Sequence, residues 1–426
     1  AIPAPEKVVL PLSMHIGAPA KPLVQPGDKV CLGQKIAAAQ GAVSSNIHAS
    51  VSGIVTGTER RFLPNGTVAT CIVIKNDGQD TLDPTICPRE SGLVLPPDEI
   101  RQLLADKGIV GMGGATFPTH VKYAPQNSGR IIDTVILNGI ECEPFITADY
   151  RILIENAAEV IRGLKYFLKA SLANKGIIAI EANKPRAVEL LEQLTADEPN
   201  ISVVVCPEKY PQGSERHLIY AVTGRVVPER ALPSAVGVIV DNVATAMQAA
   251  QAVKDDLPCY ERIVTVSGNT VRKPGNYRVR IGTLYSHLVE QGALGLKNEP
   301  ARIISGGPMM GFSLHSLDFP VLKGTGGLLI FDHQSKLAQL PPENPCVRCG
   351  KCVDTCPMFL EPTQLFKAVK RRDWPAALAG HVGACIECGS CAYNCPAHIP
   401  LVQYIRMGKQ FIMTDGFGGH NPYYKK

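Results

Sequence analysis

Eight of the fourteen cysteines fall in the last fifth of the chain, in two copies of one run. Cys346, Cys349, Cys352 and Cys356 precede Pro357, and Cys385, Cys388, Cys391 and Cys395 precede Pro396. Each copy reads C-x2-C-x2-C-x3-C-P. Three thiolates at this spacing can wrap one iron–sulfur cube if the backbone coils around it, and a fourth must arrive from elsewhere. The run therefore points to two [4Fe–4S] clusters and to single-electron chemistry. Zinc ribbons use paired C-x2-C hooks rather than triplets closed by C-P. Disulfides need an oxidising compartment, and nothing marks this chain as secreted.

The same run occurs in two-cluster ferredoxins, where the last thiolate of each copy ligates the other copy's cluster. On that resemblance Cys346, Cys349, Cys352 and Cys395 hold one cluster, and Cys385, Cys388, Cys391 and Cys356 hold the other. The proline after each remote ligand ends a helix and turns the chain away. Between the copies, Leu365, Phe366 and Val369 sit at helical spacing within 364–370, and Asp373 is placed to cap a short helix running to Ala379. A helical spacer resembles the α-helical two-cluster ferredoxin domain rather than the compact βαβ type.

A length of 426 residues allows three or four domains. The formal charge of +5 is mild and spread out, so nucleic acid is not expected as a partner. Lys370, Arg371, Arg372, Lys425 and Lys426 read as a solvated helix face and tail. No apolar run approaches the roughly 18 residues that span a bilayer. The chain opens on Ala1 without a signal peptide, and trimmed ends and a reducing, cytoplasmic setting are expected. The other six cysteines, at 31, 71, 87, 142, 206 and 259, are expected to be mostly small buried hydrophobes.

Four segments follow from punctuation and periodicity. Residues 1–80 alternate apolar and polar residues between Pro-Gly and single glycines, as in Val24 to Val30 and Ala49 to Val55, which predicts short strands and tight turns. This pattern resembles the biotinyl/lipoyl-like barrel-sandwich family. The stretch matching the modified hairpin, Ser44 to His48, has no lysine, so a structural or docking role is expected, with His48 a surface turn residue. Pro84, Pro88, Pro96 and Pro97 mark a boundary, and a helix is expected after Pro97. Residues 81–258 alternate strands (135–137, 177–180, 203–205) with helices (157–170, 186–194), which predicts a largely parallel sheet. Residues 259–331 read as strand, turn, strand, a helix over 283–291, and strand, which resembles the β-grasp ligand-binding (SLBB) domain. Residues 332–426 form the cluster domain.

Four signals in the second segment suggest a ligand site. Gly111, Gly113 and Gly114 open a loop that runs through Phe117 to Lys122. Glycines let backbone N–H groups approach a phosphate, a following helix offers its positive end, and Lys122 adds charge. Asn138, Glu141 and Glu143 follow a strand directly, at the carboxyl edge where α/β proteins bind ligands. Gly213 with Glu215, and Asp241 with Asn242, complete the set.

The order of these signals resembles the flavin- and NADH-binding subunit of respiratory complex I. With a barrel-sandwich segment in front, including the stretch His15 to Pro22, and twin cluster runs behind, the chain resembles the RnfC family across nearly its whole length. RnfC is the peripheral electron-input subunit of the Rnf ion-translocating ferredoxin:NAD+ oxidoreductase. The resemblance implies a multidomain α/β protein with small β modules: a barrel-sandwich hybrid, a Rossmann-like flavin domain, a β-grasp domain and an α-helical two-[4Fe–4S] ferredoxin domain. It implies non-covalent FMN, NAD(H) as substrate, membrane-embedded partner subunits, ferredoxin indirectly, and a peripheral place on the cytoplasmic face of the bacterial inner membrane. Gly111, Gly113, Gly114 and Lys122 would surround the FMN phosphate. Asn138, Asp241 and Asn242 would hold the flavin, and Glu141 and Gly213 complete that cofactor-binding set. Phe117 would stack on the nicotinamide nucleotide, Glu143 would face the NADH ribose and Glu215 would lie near the nicotinamide. Ile140, Cys142 and Ser214 depart from the complex I pattern, which has an acid, a glycine and an acid there. The alternatives are a soluble flavin/iron–sulfur reductase of the cobalamin-reductase type, in which the barrel-sandwich segment sits elsewhere in the order, and an iron–sulfur wire without flavin.

Overall fold

A computed structural model describes residues 1–124, 131–229 and 231–414. The chain divides into two compact units: 1–226 with 233–338, and 227–232 with 339 onward. Lys425 and Lys426 lie outside the described residues.

The first unit begins with an all-β module. Lys7–Pro11, Val68–Asn76, Gly53–Phe62 and Lys29–Val30 form one antiparallel sheet. Lys21–Pro22, Lys35–Ala38 and Ile47–His48 form a second. Alternation along these strands turns Val8, Leu10, Val30, Ile36, Ile47, Val55, Ile72 and Ile74 into a shared core.

A four-stranded parallel sheet follows, in the order Ile201–Cys206, Lys175–Glu181, Thr134–Gly139, Val238–Asn242. The expected strands and helices are all present. The helix after Pro96 spans Pro97–Asp106, with Pro97 at its first turn beside Asp98 and Glu99. Helices Ala157–Ser171 and Val243–Lys254 pack together on the sheet. Their approach needs Gly163, because a Cβ there would fall 1.9 Å from the carbonyl oxygen of Ala246.

The third module is a mixed sheet in the order Gly275–Arg280, Glu261–Ser267, Gly327–Phe331, Arg302–Ser305, Phe312–Leu314. The helix expected over 283–291 starts as one α-turn, Tyr285–His287, and widens to a π-turn over Leu288–Gly292. Lys323 pins the modules of this unit together. Its buried ammonium donates to the carbonyl oxygens of Asn46 (2.8 Å) and Gly108 (2.6 Å). Burial lowers its pKa to about 8.

Two expectations need correction here. His48 is not a surface turn residue: it lies buried in strand Ile47–His48, and burial drives its pKa well below the ordinary value. The turn is internal because the stretch docks inward, with Asn46 Nδ2 donating to the carbonyls of Ala105 and Asp106 at 3.1 and 3.2 Å. Of the six scattered cysteines only Cys71, Cys206 and Cys259 are buried, whereas Cys31 and Cys142 are half-buried and Cys87 is exposed.

The second unit is helical. Lys351–Asp354, Pro362–Lys370, Trp374–Ala379, Ser390–Tyr393 and Leu401–Thr414 succeed one another, and none of its described residues forms a strand. Asp373 caps its helix as expected, accepting from the Ala376 N–H at 3.1 Å.

Candidate functional site: a sheet edge and two thiolate loops

The strands Thr134–Gly139 and Val238–Asn242 are hydrogen-bonded neighbours, with Leu137 opposite Asp241 and Asn138 opposite Asn242. Both therefore deliver polar side chains to the same carboxyl edge. Gly213 joins them, since its carbonyl accepts from Asn138 Nδ2 at 2.8 Å. The glycine loop joins from the other side: a Cβ on Gly113 would lie 3.2 Å from Asn242 Cβ. All four sequence signals thus converge on one edge.

The loop is closed at its base by the Gly111 N–H, which donates to Phe117 O at 2.8 Å, and the Met112 N–H donates to Thr245 Oγ1 at 2.9 Å. Gly113 and Gly114 are exposed, and no atom lies within 4 Å of where a Gly114 Cβ would sit. Gly114 has φ +115° and Thr116 has φ 52°, conformations that turn the loop tightly. The helix after the loop, Thr119–Lys122, is a single turn and offers little dipole. The longer helix aimed at this edge is Val243–Lys254, whose N-terminus is capped by Asn242 accepting from the Ala244 N–H at 2.9 Å.

Lys122 Nζ pairs with Asp241 Oδ1 at 3.1 Å and donates to Val240 O at 2.5 Å. Its side chain is 25% exposed against 1% for Asp241. Burial works against the lysine's charge, but Asp241 and Glu215 outweigh it and hold its pKa above the ordinary value. Tyr123 donates its hydroxyl to Asp241 Oδ2 at 2.8 Å. Glu215 starts helix Glu215–Thr223 and keeps an exposed face. Crowding by protein raises its pKa, with Lys122 pulling it back and Asp241 pushing it further.

Glu141 takes φ 51° and turns its carboxylate onto the start of helix Ala148–Glu155, accepting from the N–H groups of Asp149 (2.7 Å) and Tyr150 (3.0 Å). Burial, then the nearby Asp149 charge, raises its pKa to about 8. Asp149 is held by Asn242 Nδ2 at 2.5 Å. Glu143 accepts from the N–H groups of Met309 and Met310 at 3.1 and 2.8 Å, so its carboxylate anchors a loop of the β-grasp module. Lys184 supports the turn from below, donating to Ile140 O at 2.7 Å. Sequence reasoning missed Tyr123, Asp149, Lys184, Thr245 and the Met309–Met310 backbone. Of these only Tyr123 lies directly beside a residue that the sequence singled out.

In the second unit the two cysteine runs repeat one backbone conformation at an offset of 39 residues, Cys346 to Cys385. Arg348 and Glu387 both have φ 57°, Gly350 and Gly389 have φ 78° and 81°, and Phe359 and His398 have φ 55° and 54°. Backbone N–H groups turn toward sulfur: Glu387 N lies 3.4 Å from Cys385 Sγ, and Leu360 N lies 3.4 Å from Cys356 Sγ. Cys356, Cys385, Cys388 and Cys391 line one cavity together. Burial first, then the mutual repulsion of these sulfurs, pushes the Cys391 thiol up to about 12. Such repulsion is relieved by iron, so this donor set fits a [4Fe–4S] cluster. Cys352 and Cys395 share an apolar cluster with Phe366 and Ile399, while Cys346 and Cys349 are exposed. At the sheet edge, the open glycine loop, the partly exposed Lys122 and the paired asparagines fit a flavin mononucleotide.

The fold and these sites define an electron-transfer protein with a flavin-binding module and a twin-cluster module. Residues 104–251 match the Nuo51 FMN-binding domain and residues 344–399 the 4Fe-4S dicluster domain. Residues 1–79 match the RnfC barrel sandwich hybrid domain and residues 263–313 the SLBB domain. The chain is 42% identical to the C component of the Na(+)-translocating ferredoxin:NAD(+) oxidoreductase complex of Acetobacterium woodii, over 87% of this chain and 83% of that protein. It is 42% identical to the C component of the proton-translocating ferredoxin:NAD(+) oxidoreductase complex of Clostridium ljungdahlii, over 85% and 78%. It is 41% identical to the C component of the ion-translocating oxidoreductase complex of Rhodobacter capsulatus, over 96% and 78%. The chain belongs to the RnfC family. A solved NAD+-reducing [NiFe]-hydrogenase shares the fold at TM-score 0.54 and 20% identity, over 74% of this chain and 64% of that one. The chain thus spans just under two thirds of that structure's length. Among the described residues no helix is long and apolar enough to cross a membrane.

Proposed function

We propose that this chain is the NAD(H)-linked electron-transfer subunit of an ion-translocating ferredoxin:NAD+ oxidoreductase. The observation that carries the reading is the meeting of four distant segments at one sheet edge, in a chain that also bears two matched thiolate loops. The bound groups would supply two-electron exchange with NAD(H) at FMN and one-electron transfer at two [4Fe–4S] clusters.

The chain's own residues bind and orient. Gly111, Gly113 and Gly114 leave room for the FMN phosphate, and Lys122 sets positive charge beside it. Asn138, Asp241 and Asn242 hold the flavin, with Glu141 and Gly213 fixing the turns around it. Phe117 stacks on the nicotinamide nucleotide, Glu143 faces its ribose and Glu215 its nicotinamide. Cys346, Cys349, Cys352 and Cys395 ligate one cluster, and Cys385, Cys388, Cys391 and Cys356 the other. No side chain is assigned an acid–base step. The modules are 1–80, 81–258, 259–331 and 332–426. The partners are membrane-embedded subunits of the complex, with ferredoxin reached through them, and the place is peripheral, on the cytoplasmic face of the bacterial inner membrane.

Anaerobic titration of the reconstituted protein with NADH tests this. Flavin absorbance should bleach first and the cluster signals should then appear in electron paramagnetic resonance. A preparation holding flavin and iron that NADH leaves oxidised would sink the reading.

A further inference from the structure

Both stems of the glycine loop are gripped by modules other than the one that carries it. The base of the loop is closed twice, by the Gly111 N–H on Phe117 O at 2.8 Å and by the Thr119 N–H on Ile109 O at 3.1 Å. The leading stem is the end of helix Pro97–Asp106, where the carbonyls of Ala105 and Asp106 accept from Asn46 Nδ2 of the all-β module. Gly108 follows with φ +65°, and a Cβ there would fall 2.4 Å from Asn46 O. Lys323 of the β-grasp module ties Asn46 O to Gly108 O across this junction.

The trailing stem is Thr116, whose φ of 52° is one that a β-branched residue rarely takes without support. Its carbonyl accepts from the Ile16 N–H of the all-β module at 3.2 Å. Gly324 closes in from the β-grasp side: a Cβ there would stand 2.5 Å from Thr116 Cγ2 and 3.4 Å from Gly114 O. Ile16 and Asn46 are set by one stretch of the all-β module. His15 Nε2 lies 3.0 Å from Ala18 O and 3.2 Å from Ser44 Oγ, and Ser44 donates to Ala18 O at 2.8 Å. Gly17, at φ +105°, passes Val43 so closely that a Cβ would fall 2.0 Å from its carbonyl oxygen. The stretch Ser44 to His48, which has no lysine to carry a prosthetic group, is thus built into a strut.

Resting on the reading of the glycine loop as the FMN phosphate site, we propose that the all-β module is a working part of that site. Its loop at Ile16 and its hairpin at Asn46, with Lys323 and Gly324 opposite, hold both stems of the loop while the tip at Gly113 and Gly114 stays open. Ile16 and Asn46 are positioning residues that act through the loop. A phosphate is met by backbone N–H groups, and the stems set their direction, so a stem that turns mis-aims several donors together. A loop fixed beforehand also gives up little conformational freedom when the ligand arrives.

The test uses the full chain with both clusters, stripped of flavin and titrated anaerobically with FMN or with riboflavin, free flavin being measured after ultrafiltration. Asn46→Ala and Gly17→Ala should each weaken FMN about tenfold, while riboflavin, which has no phosphate, shifts by less than about twofold. Gly324→Ala should weaken FMN likewise. Adding Thr116→Ser removes the methyl that the new Cβ meets and should restore most of the affinity, a rescue that a general loss of stability would not show. Lys29→Gln, on an exposed position of the same all-β module, should match the parent. Parent-like FMN affinity in Asn46→Ala and Gly324→Ala, or equal losses for FMN and riboflavin, would overturn the proposal. If Asn46→Ala does not fold, Gly324→Ala with and without Thr116→Ser decides by the same criterion. A parent that binds neither flavin would instead sink the assignment of the site itself.

Discussion

The proposed cluster ligands lie in one stretch between Cys346 and Cys395, whereas the residues gathered at the sheet edge come from separate segments between Gly111 and Asn242. The cluster region needs only local turns, repeated at Arg348/Glu387 and Gly350/Gly389, to aim its sulfurs. The sheet edge needs the parallel pairing of Thr134–Gly139 with Val238–Asn242 before Asn138 and Asn242 stand side by side. The first arrangement tolerates a small unit with no strand among its described residues, because bound metal would supply cross-links. The second depends on a packed core, since only hydrogen bonds and one ion pair join its parts.

That contrast sets the order of expected effects. Cys356→Ala should have the largest, removing the cluster of Cys385, Cys388 and Cys391 and leaving the other. Iron content should fall by about half, with one of two resonance signals lost. Loss of the signal that depends on Cys346 instead would show that each run closes its own cluster and break the crossed pairing.

Gly113→Val comes next. Its Cβ would already stand 3.2 Å from Asn242 Cβ, and the branched methyls would extend into the loop's open side. Flavin retained after desalting should drop at least about tenfold, with circular dichroism unchanged. Full flavin in a folded variant would place the phosphate elsewhere.

Asp241→Asn should be intermediate. It leaves Lys122 without its counter-charge and weakens the bond from Tyr123, at a cost of about 3 kcal/mol read as a lower melting temperature of flavin-free protein. Cluster content should not change, because the second unit has its own core. A parallel loss of clusters would join two regions that the comparison separates.

The narrowest effect, confined to one span of pH, concerns Glu141. Its folded pKa of about 8 lies above its ordinary 4.5, so the protonated group favours the fold. That contribution is complete below pH 4.5 and is lost as pH rises through about 8. Glu141→Gln, which cannot titrate, should flatten the fall in melting temperature between these limits, although its amide keeps only one of the two backbone N–H bonds. An unchanged pH profile would mean that Asp149, not Glu141, takes up the proton.

Much of this was legible beforehand. The parallel strands announced themselves as short apolar runs, the helix after Pro97 by apolar spacing and its acidic first turn, and the helix read over 364–370, which begins at Pro362, by apolar spacing. His48 was misplaced because a polar stretch at a hairpin reads as surface, and only its docking onto Ala105 and Asp106 puts it inside. Glu143 was legible as an acid past a strand, but not as the anchor of the Met309–Met310 turn, which lies far along the chain. The cysteine loops differ in charge at positions 348 and 387, yet only the fold brings Arg406 and Lys409 back onto Glu387.

By itself the sequence determined the chemistry of this protein's cofactors, the order of its modules and the strand ends that bear its polar pairs, because ligand spacing and apolar periodicity are local properties of a chain. Only the tertiary structure decided which acids are committed to backbone amides, which histidines are buried and which thiols face solvent. Those outcomes depend on contacts between residues far apart in the chain, where burial and pairing compete and the winner depends on what else is packed nearby.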